Sequence, residues 1–468
     1  MEKGDRGMLK RIKDWFYIEP ELLQMETPAG KTTLMKLALP IFFESLCNNS
    51  LGTINTAILS NYSESAVAAI GTANQLLIMF TMLFTVVSLG ASAVTSNCLG
   101  AKRHHEAKVA SFVAIVFSLI LSLAVGILCC AIARPTLVAM NLDEPTIADA
   151  LPYYQIRTIT LFLPAMTTAF SSILRCYGIT KPGVFAGIIS NVVNLALCFA
   201  AVNLFADNRA VLLIGIAVAC VVGQLGGLAY IIVCFRRKRI GLAKPDTFKK
   251  ALGDLWKILQ IGIPGGMSTV GYFISQTVSV SFVALLSTEA ISAKVYFSSI
   301  TLYVCMFGMS VGNANSVLVG WLCGAKRHDD ADRLCKKLWR RNSVLNLSLS
   351  LLLILLRIPI LSIFTKQEEI LAMSLTIFAI DIIQEQSRAC SQIYEYALRS
   401  TGDTMFSMVG ILISCWVNGV GIAYLLGIHL GWGLPGIWIG FAADEFTRAV
   451  VTAGRWRTKK WIARSQKI

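Results

Sequence analysis

Twelve windows of about 20 mostly apolar residues recur along the chain, and no other feature restricts its fold as strongly. A helix of that length crosses the hydrocarbon core of a bilayer, which is about 30 Å thick. We therefore predict an all-α integral membrane protein with twelve transmembrane helices. The approximate windows are 34–59, 66–97, 108–133, 147–174, 182–205, 210–235, 254–286, 290–322, 337–364, 370–398, 404–427 and 433–454.

The positive charge of the chain is distributed as a membrane topology requires. The 468 residues are 55% hydrophobic with a net charge of +15, a balance that in a soluble chain would suggest nucleic acid. Most of the 42 Lys and Arg residues, however, lie in the two termini and near the loops that follow even-numbered windows. This asymmetry predicts cytoplasmic termini in a multi-pass protein of a plasma or bacterial inner membrane. It makes the lipid bilayer the expected partner and argues against nucleic acid. The loops after odd-numbered windows hold only Arg134, Arg209, Arg357 and Lys366.

Several classes of function lack support in the sequence. The thirteen cysteines form no CxxC or Cys/His ligand set, so we expect buried thiols and no metal site. No nucleophile and base stand at workable spacing and no phosphate-binding glycine loop is present, so we expect neither an enzyme nor a cofactor. Residues 1–33 contain no signal-peptide core, and they form either an interfacial helix or a frayed tail.

The pentapeptide GAKRH occurs at 100–104 and again at 324–328, which reveals an internal duplication. The same offset of 224 residues (324 − 100) relates Pro40 to Pro264 and Asn194 to Asn418. Each half holds six helices, an even number, so both halves have the same orientation and form two parallel lobes around a substrate path. We expect the GAKRH glycines to end a helix in the left-handed conformation. The predicted divisions are a tail at 1–33, an N-lobe at 34–235, a linker at 236–253, a C-lobe at 254–454 and a basic tail at 455–468.

Three sets of residues resemble the multidrug and toxic compound extrusion (MATE) family. They are LALPIFFESLCNNSLGTINTAILSNYSESAVAAIG at 37–71, the GAKRH segments with the helix ends before them, and LRCYGITKP at 174–182 with LRSTGDTMF at 398–406. The resemblance covers nearly the whole chain after residue 32. It implies a twelve-helix, two-lobed fold that exports organic, often cationic compounds by alternating access against an inward flow of protons or sodium ions.

The chain departs from the resembled family at its carboxylates. The position that usually carries an aspartate on the first helix is Asn55 here. The second acid of some members, on the fifth helix, is replaced by Cys198, and the aspartate that many members carry near the tenth helix is replaced by Arg388.

Charged residues that remain inside the windows are costly in lipid and therefore mark candidate sites. In the N-lobe, Glu44 is the candidate, about 15 Å into the first helix, and it shares one helix face with Asn48 and Asn55. A carboxylic acid in a low-dielectric setting can load and release a proton, so Glu44 is either a displaced proton site or a neutral, hydrogen-bonded structural group.

The tenth and twelfth windows carry a denser set of charges. Asp381, Glu385 and Arg388 form one helix stripe, in which Arg388 can pair with Glu385. An acid held by an arginine can change partners when protonated, which provides a two-state element for transport. Glu395 with Arg399 is expected to be a structural pair. In the twelfth window Asp444 and Glu445 face Arg448, and Glu445 is a further candidate for ion coupling.

Other polar and aromatic residues are candidates for the path between the lobes. Each is either an interhelical hydrogen-bonding group or a contact for a flat organic cation. They are Asn48, Gln75, Asn191, Asn194, Tyr272, Gln276, Tyr296, Tyr303, Asn313 and Asn418.

The leading interpretation is a monomeric secondary exporter of small organic, cationic or amphiphilic compounds, coupled to protons or, as the weaker option, to sodium. One alternative is a flippase for a lipid-linked or amphiphilic precursor, which would need a strongly cationic central cavity. Another is a regulatory membrane protein that has lost transport together with the family aspartates.

Overall fold

The computed structural model describes residues 34–59, 64–140, 144–205, 209–362, 364–466 and 468, and within them it is helical without strands. Twelve long helical segments follow one another along the chain. Their bounds are α1 Leu34–Leu59, α2 Glu64–Gly100, α3 His104–Ala131, α4 Glu144–Cys176, α5 Lys181–Phe205, α6 Arg209–Arg237, α7 Phe248–Leu286, α8 Thr288–Gly324, α9 His328–Leu355, α10 Glu368–Ser400, α11 Thr404–His429 and α12 Gly433–Arg457. Short helices at Ala133–Ala139, Arg357–Leu361 and Trp461–Ser465 complete the described part.

Nine of these helices, within the described ranges, are long and apolar enough to cross a membrane by length and composition alone. The other three, α1, α9 and α12, are not among these nine; they include Glu44 in α1 and Asp444 in α12. The twelve-helix prediction is confirmed. The interfacial helix considered for residues 1–33 lies outside the described residues.

Helices α1 to α6 form one lobe and α7 to α12 the other, as the duplication predicts. The N-lobe has an apolar core built from α2, α4, α5 and α6, in which Tyr153 and Tyr154 are fully buried. The corresponding core of the C-lobe combines α8, α10 and α12, with Phe297 packed edge-to-face on Phe378 and Trp438.

The lobes meet at the end of the molecule that carries the two GAKRH segments, which we call the basic end. There α1 and α2 pack against α7 and α8, for example through Phe42 and Phe307, whose ring centroids are 5.7 Å apart. Hydrogen bonds between described residues cross the interface: Asn97 Nδ2 donates to the Ser400 carbonyl (2.7 Å), and Trp321 Nε1 donates to the Cys176 carbonyl (3.0 Å).

The GAKRH glycines serve this interface, and the expectation that they adopt the left-handed conformation is wrong. Gly100 and Gly324 are the last residues of α2 and α8, and the positive φ angles belong to Lys102 (59°) and Lys326 (60°). A Cβ on Gly100 would lie 2.1 Å from the carbonyl oxygen of Trp321, and one on Gly324 would lie 2.0 Å from that of Asn97. The repeated glycine therefore permits the two helices to cross at backbone contact.

Two helices are less regular than their windows suggest. The fourth window was expected to be one helix, but α4 is interrupted at Thr160–Leu161, between Glu144–Ile159 and Phe162–Cys176. Helix α11 continues from Ser414 into π-helical turns at Cys415–Ile422 and Leu425–His429. Such turns often accompany functional or strained sites in helices.

Replacing Gly100 or Gly324 by alanine is expected to weaken the closed basic end. The added methyl group meets backbone atoms that cannot move aside, so the helices must separate at an overpacking cost of about 1–3 kcal/mol. Hydrogen exchange of residues 97–103 and 321–327 should accelerate in both variants.

The matched control is Gly454→Ala in α12, where an added Cβ meets nothing within 4 Å. Unchanged exchange in Gly100→Ala and Gly324→Ala would contradict the role assigned to the crossing.

Candidate functional site

The N-lobe encloses a cavity of about 380 Å³ between α1, α2, α4, α5 and α6. Its wall combines apolar side chains with hydroxyl and amide groups, and of the described residues that line it only Glu44 and Arg157 carry a charge. Polar residues on the wall are Asn48, Asn49, Asn74, Thr81, Thr85, Thr167, Thr168, Ser190, Asn191 and Gln224.

Glu44 is held on this wall by α4. It is 7% exposed, and Ser171 donates a hydrogen bond to its Oε1 at 2.6 Å. Arg175 Nη2 lies 3.9 Å from the same oxygen. Its second oxygen, Oε2, is buried without a hydrogen-bond partner and faces Gly183 of α5, where a Cβ would be 2.4 Å away. Glu44, a residue of the cavity wall, thus has one hydrogen-bonded oxygen and one buried oxygen without a partner.

Asn55 and Cys198, at two positions where the resemblance implied an acid, belong to a neutral cluster with Asn194 and Cys220. Asn55 Nδ2 contacts Cys220 Sγ at 3.0 Å, and Cys198 Sγ donates to Asn55 Oδ1 at 3.5 Å. Asn194 Nδ2 approaches the sulfurs of Cys220 (3.3 Å) and Cys198 (3.6 Å). All four side chains are almost fully buried, and they do not line the cavity. The cluster consists of amides and thiols, and the Oδ1 of Asn194 is buried in it without a hydrogen-bond partner.

Arg157 stands on the cavity wall away from Glu44, just before the interruption of α4. Its Nη1 donates to Gln224 Oε1 at 3.0 Å, and its buried Nε has no partner. Beside it the Tyr153 hydroxyl donates to Asn74 Oδ1 at 3.0 Å. Arg157 is not among the candidates named from the sequence; its signal there is a lone cation in an apolar window.

In the C-lobe, the charges of α10 and α12 neutralise one another. Arg388 forms an ion pair with Glu385 on its own helix, as the spacing predicts, and its Nε lies 3.2 Å from Glu445 Oε1 of α12. Ser391 donates to the other oxygen of Glu445 at 3.2 Å. Arg388 therefore acts as a bridge between the two helices.

Arg448 forms the second centre of this network. Its Nε and Nη2 bind both oxygens of Asp444 at 3.0 and 2.7 Å, and its guanidinium carbon lies 4.6 Å from the ring centroid of Tyr272 in α7. Ser414 of α11 donates to Asp444 Oδ1 at 2.7 Å. Bidentate contacts of this kind are the strongest ion-pair geometry available to arginine.

Two further acids complete the tenth-helix set. Glu395 pairs with Arg399, as predicted. Asp381 is 3% exposed and its Oδ1 has no hydrogen-bond partner, so it is the least satisfied acid of the stripe.

The predicted path residues fall into different places. Asn48 and Asn191 line the cavity, and Asn191 also donates to the Cys47 carbonyl at 2.8 Å. Gln75 is exposed and does not line the cavity; its neighbour Asn74 does. Asn194 belongs to the neutral cluster.

The remaining path candidates lie in the C-lobe, outside the N-lobe cavity. They make separate local contacts or none that identifies a common site. Tyr272 packs on Arg448, Asn418 donates to Ser414 and Thr447, Tyr296 stacks obliquely on Phe364, Asn313 donates to the Met309 carbonyl, Gln276 is half-buried and Tyr303 is exposed.

Comparison with known sequences gives a consistent family. The family model MatE matches twice, at residues 40–200 and 264–425, and the two matches begin 224 residues apart (264 − 40). The uncharacterized transporter YisQ of Bacillus subtilis (strain 168) is 32% identical over 440 residues, which cover 94% of this chain and 97% of that protein. The probable multidrug resistance protein NorM of Thermotoga maritima is 23% identical, with 94% and 96% covered.

Solved structures of MATE proteins have a fold similar to that of this chain. A MATE crystal structure in the bent conformation superposes with a TM-score of 0.84 at 16% identity, covering 93% of this chain and 96% of that one. At this identity the likeness concerns the fold and not the substrate.

Arg388→Met is expected to destabilise the protein by about 3–5 kcal/mol, because it leaves Glu385 buried without a cation and leaves Glu445 with Arg448 alone, 4.0 Å away. The free energy of unfolding in mixed micelles measures the effect.

Arg103→Met is the control, since the ion pair of Arg103 with Glu106 is solvent-exposed and should contribute little. If Arg388→Met is as stable as the control variant, Arg388 is not the bridge between α10 and α12.

Proposed function

The chain belongs to the MatE family of membrane transporters, and on that premise we propose that it is a secondary exporter of small organic, cationic or amphiphilic compounds, driven by proton influx. The observation that carries the proposal is the buried, unpartnered oxygen of Glu44, a residue that lines the N-lobe cavity. Glu44 can therefore bind and release a proton at the cavity in which the substrate binds.

Alternating access accounts for the contacts between the lobes. With both termini in the cytoplasm, the basic end is the cytoplasmic end, and its closure corresponds to the outward-facing state in which substrate leaves. Asn48, Asn49 and Ile78 on the cavity wall are exposed, which supports an opening on the other side. In the opposite state the crossing at Gly100 and Gly324 would have to separate.

A proton suits Glu44 better than a sodium ion does. A hard cation needs several oxygen ligands, whereas the described surroundings of Glu44 offer the Ser171 hydroxyl and the positive charge of Arg175. Arg175 would repel a metal cation, but it can stabilise the carboxylate after its proton has left.

The acids of the C-lobe are the second candidate for coupling. Asp381 and Glu385 each have a buried oxygen without a partner, so either can accept a proton. Beside them, Arg388 is already ion-paired with Glu385 and Glu445. Neither Asp381 nor Glu385 lines the cavity. We therefore assign proton exchange to Glu44 and a structural role to the network around Arg388.

Glu44→Gln is expected to abolish proton-driven transport. In proteoliposomes with an imposed pH gradient, wild-type protein should accumulate fluorescent dyes from a panel of cationic and zwitterionic compounds. Glu44→Gln should fall to the level of protein-free vesicles while still exchanging dye between compartments without a gradient, because glutamine keeps the shape and loses the proton.

Asp381→Asn should retain gradient-driven transport, and Glu144→Gln is the matched control because Glu144 pairs with Arg134 on the exposed surface. Full proton-driven transport in Glu44→Gln, combined with its loss in Asp381→Asn, would assign coupling to the C-lobe. A wild-type protein that responds only to a sodium gradient, or that moves lipid-linked precursors and no dye, would contradict the proposal.

A further inference from the structure

Arg157 differs from the other arginines that lie inside the two lobes. Arg388, Arg399 and Arg448 each pair with a carboxylate, and Arg175 lies 3.9 Å from Glu44. Among the described residues, none of the carboxylates pairs with Arg157. Its neighbours are the amide of Gln224 and the phenol of Tyr153, which are neutral.

A charge in this position requires a reason. Arginine stays protonated in proteins, and an unpaired charge away from water is expensive unless a partner compensates it. The Gln224 amide accepts a hydrogen bond from one N–H of Arg157 but does not neutralise the positive charge of the guanidinium. The buried Nε of Arg157 has no acceptor. Ionisable groups inside membrane helices usually mark a ligand path for this reason.

The guanidinium also has the right chemistry for a specific partner. Its planar set of N–H donors matches a carboxylate with two parallel hydrogen bonds. Gln224 holds Nη1 from one side, while Asn74 and Tyr153 provide polar groups nearby. The cavity wall is otherwise amide, hydroxyl and apolar, so it offers no competing cation among its described residues.

The place of Arg157 keeps it separate from the proton site. Arg157 lies before the interruption of α4, and Ser171, which contacts Glu44, lies beyond it, 14 residues later (171 − 157). An acidic group bound at Arg157 therefore leaves Glu44 open for its proton.

We propose that the exported compounds carry an acidic group, and that Arg157 binds this group as a carboxylate in the N-lobe cavity. The proposal rests on the proposed export function and narrows its substrates from cations and amphiphiles in general to compounds with a free acid, zwitterions included.

The test uses two dyes that share one ring system. Rhodamine 110 has a free carboxylate, and rhodamine 123 is its methyl ester. Wild-type protein in detergent should bind rhodamine 110 at least about tenfold more tightly than rhodamine 123, because the ester cannot accept two charge-assisted hydrogen bonds in the same way. In Arg157→Gln the ratio of the two dissociation constants should fall to about one, and Arg157→Lys, which keeps the charge without the fork, should retain a reduced preference.

The ratio within each variant makes the result independent of how much protein folds. Equal binding of the two dyes by wild-type protein overturns the proposal, as does an undiminished preference in Arg157→Gln. If Arg157→Gln binds neither dye, Arg157→Lys decides, and a preference for the ester there overturns the proposal. Failure of the export proposal gives a different result: the binding preference for rhodamine 110 is present, but neither dye accumulates in proteoliposomes under a pH gradient.

Discussion

The structure depends on one constraint: charged side chains that are buried away from water must be compensated by opposite charges or by hydrogen bonds. In the C-lobe the arginines of α10 and α12 are each bound by carboxylates, and Arg388 joins the two helices through Glu385 and Glu445. Such pairs do not make a protein more stable than apolar packing would, but they become indispensable once present, because removing one partner leaves the other buried. The N-lobe differs. Asn55 forms a neutral cluster with Cys198 and Cys220, and the charged residues Glu44 and Arg157 lie on the wall of the cavity.

The two halves therefore share a fold and differ in chemistry. The duplication supplies the common architecture, including the paired glycines that allow α2 and α8 to cross at the basic end. Where the halves differ, one lobe carries a network of ion pairs with the unpaired acid Asp381 beside it, and the other carries two incompletely satisfied charges on the wall of a cavity. This division suits a transporter in which the C-lobe acts as a stable body and the N-lobe exchanges both proton and substrate.

The features that depend on helix length and helical periodicity could be predicted from the sequence. The twelve helices, the parallel halves and the pairs of Arg388 with Glu385 and of Glu395 with Arg399 follow from the length of the apolar windows and from contacts one helical turn apart. Sequence reasoning failed where contacts join distant segments. The hydrogen bond from Ser171 to Glu44 spans 127 residues, and nothing local to Glu44 indicates it.

Side-chain direction and helix crossing also escaped the sequence. A shift of one residue on a helix turns a side chain by about 100°, so Asn74 lines the cavity and Gln75 does not. The glycine of GAKRH looked like a helix terminator because its other role, contact with a helix from the opposite lobe, has no local signature. The pairing of the cysteines with Asn55 and Asn194 likewise required three helices to be brought together.

The central claim is that the N-lobe cavity is the working site and that the charged network of the C-lobe holds the structure together. A structure determined with rhodamine 110 bound tests it most directly. Our account predicts the dye in the cavity between α1, α2, α4, α5 and α6, with its carboxylate on Arg157. Dye bound instead among Arg388, Tyr272 and Arg448, with the N-lobe cavity free of it, would contradict the account.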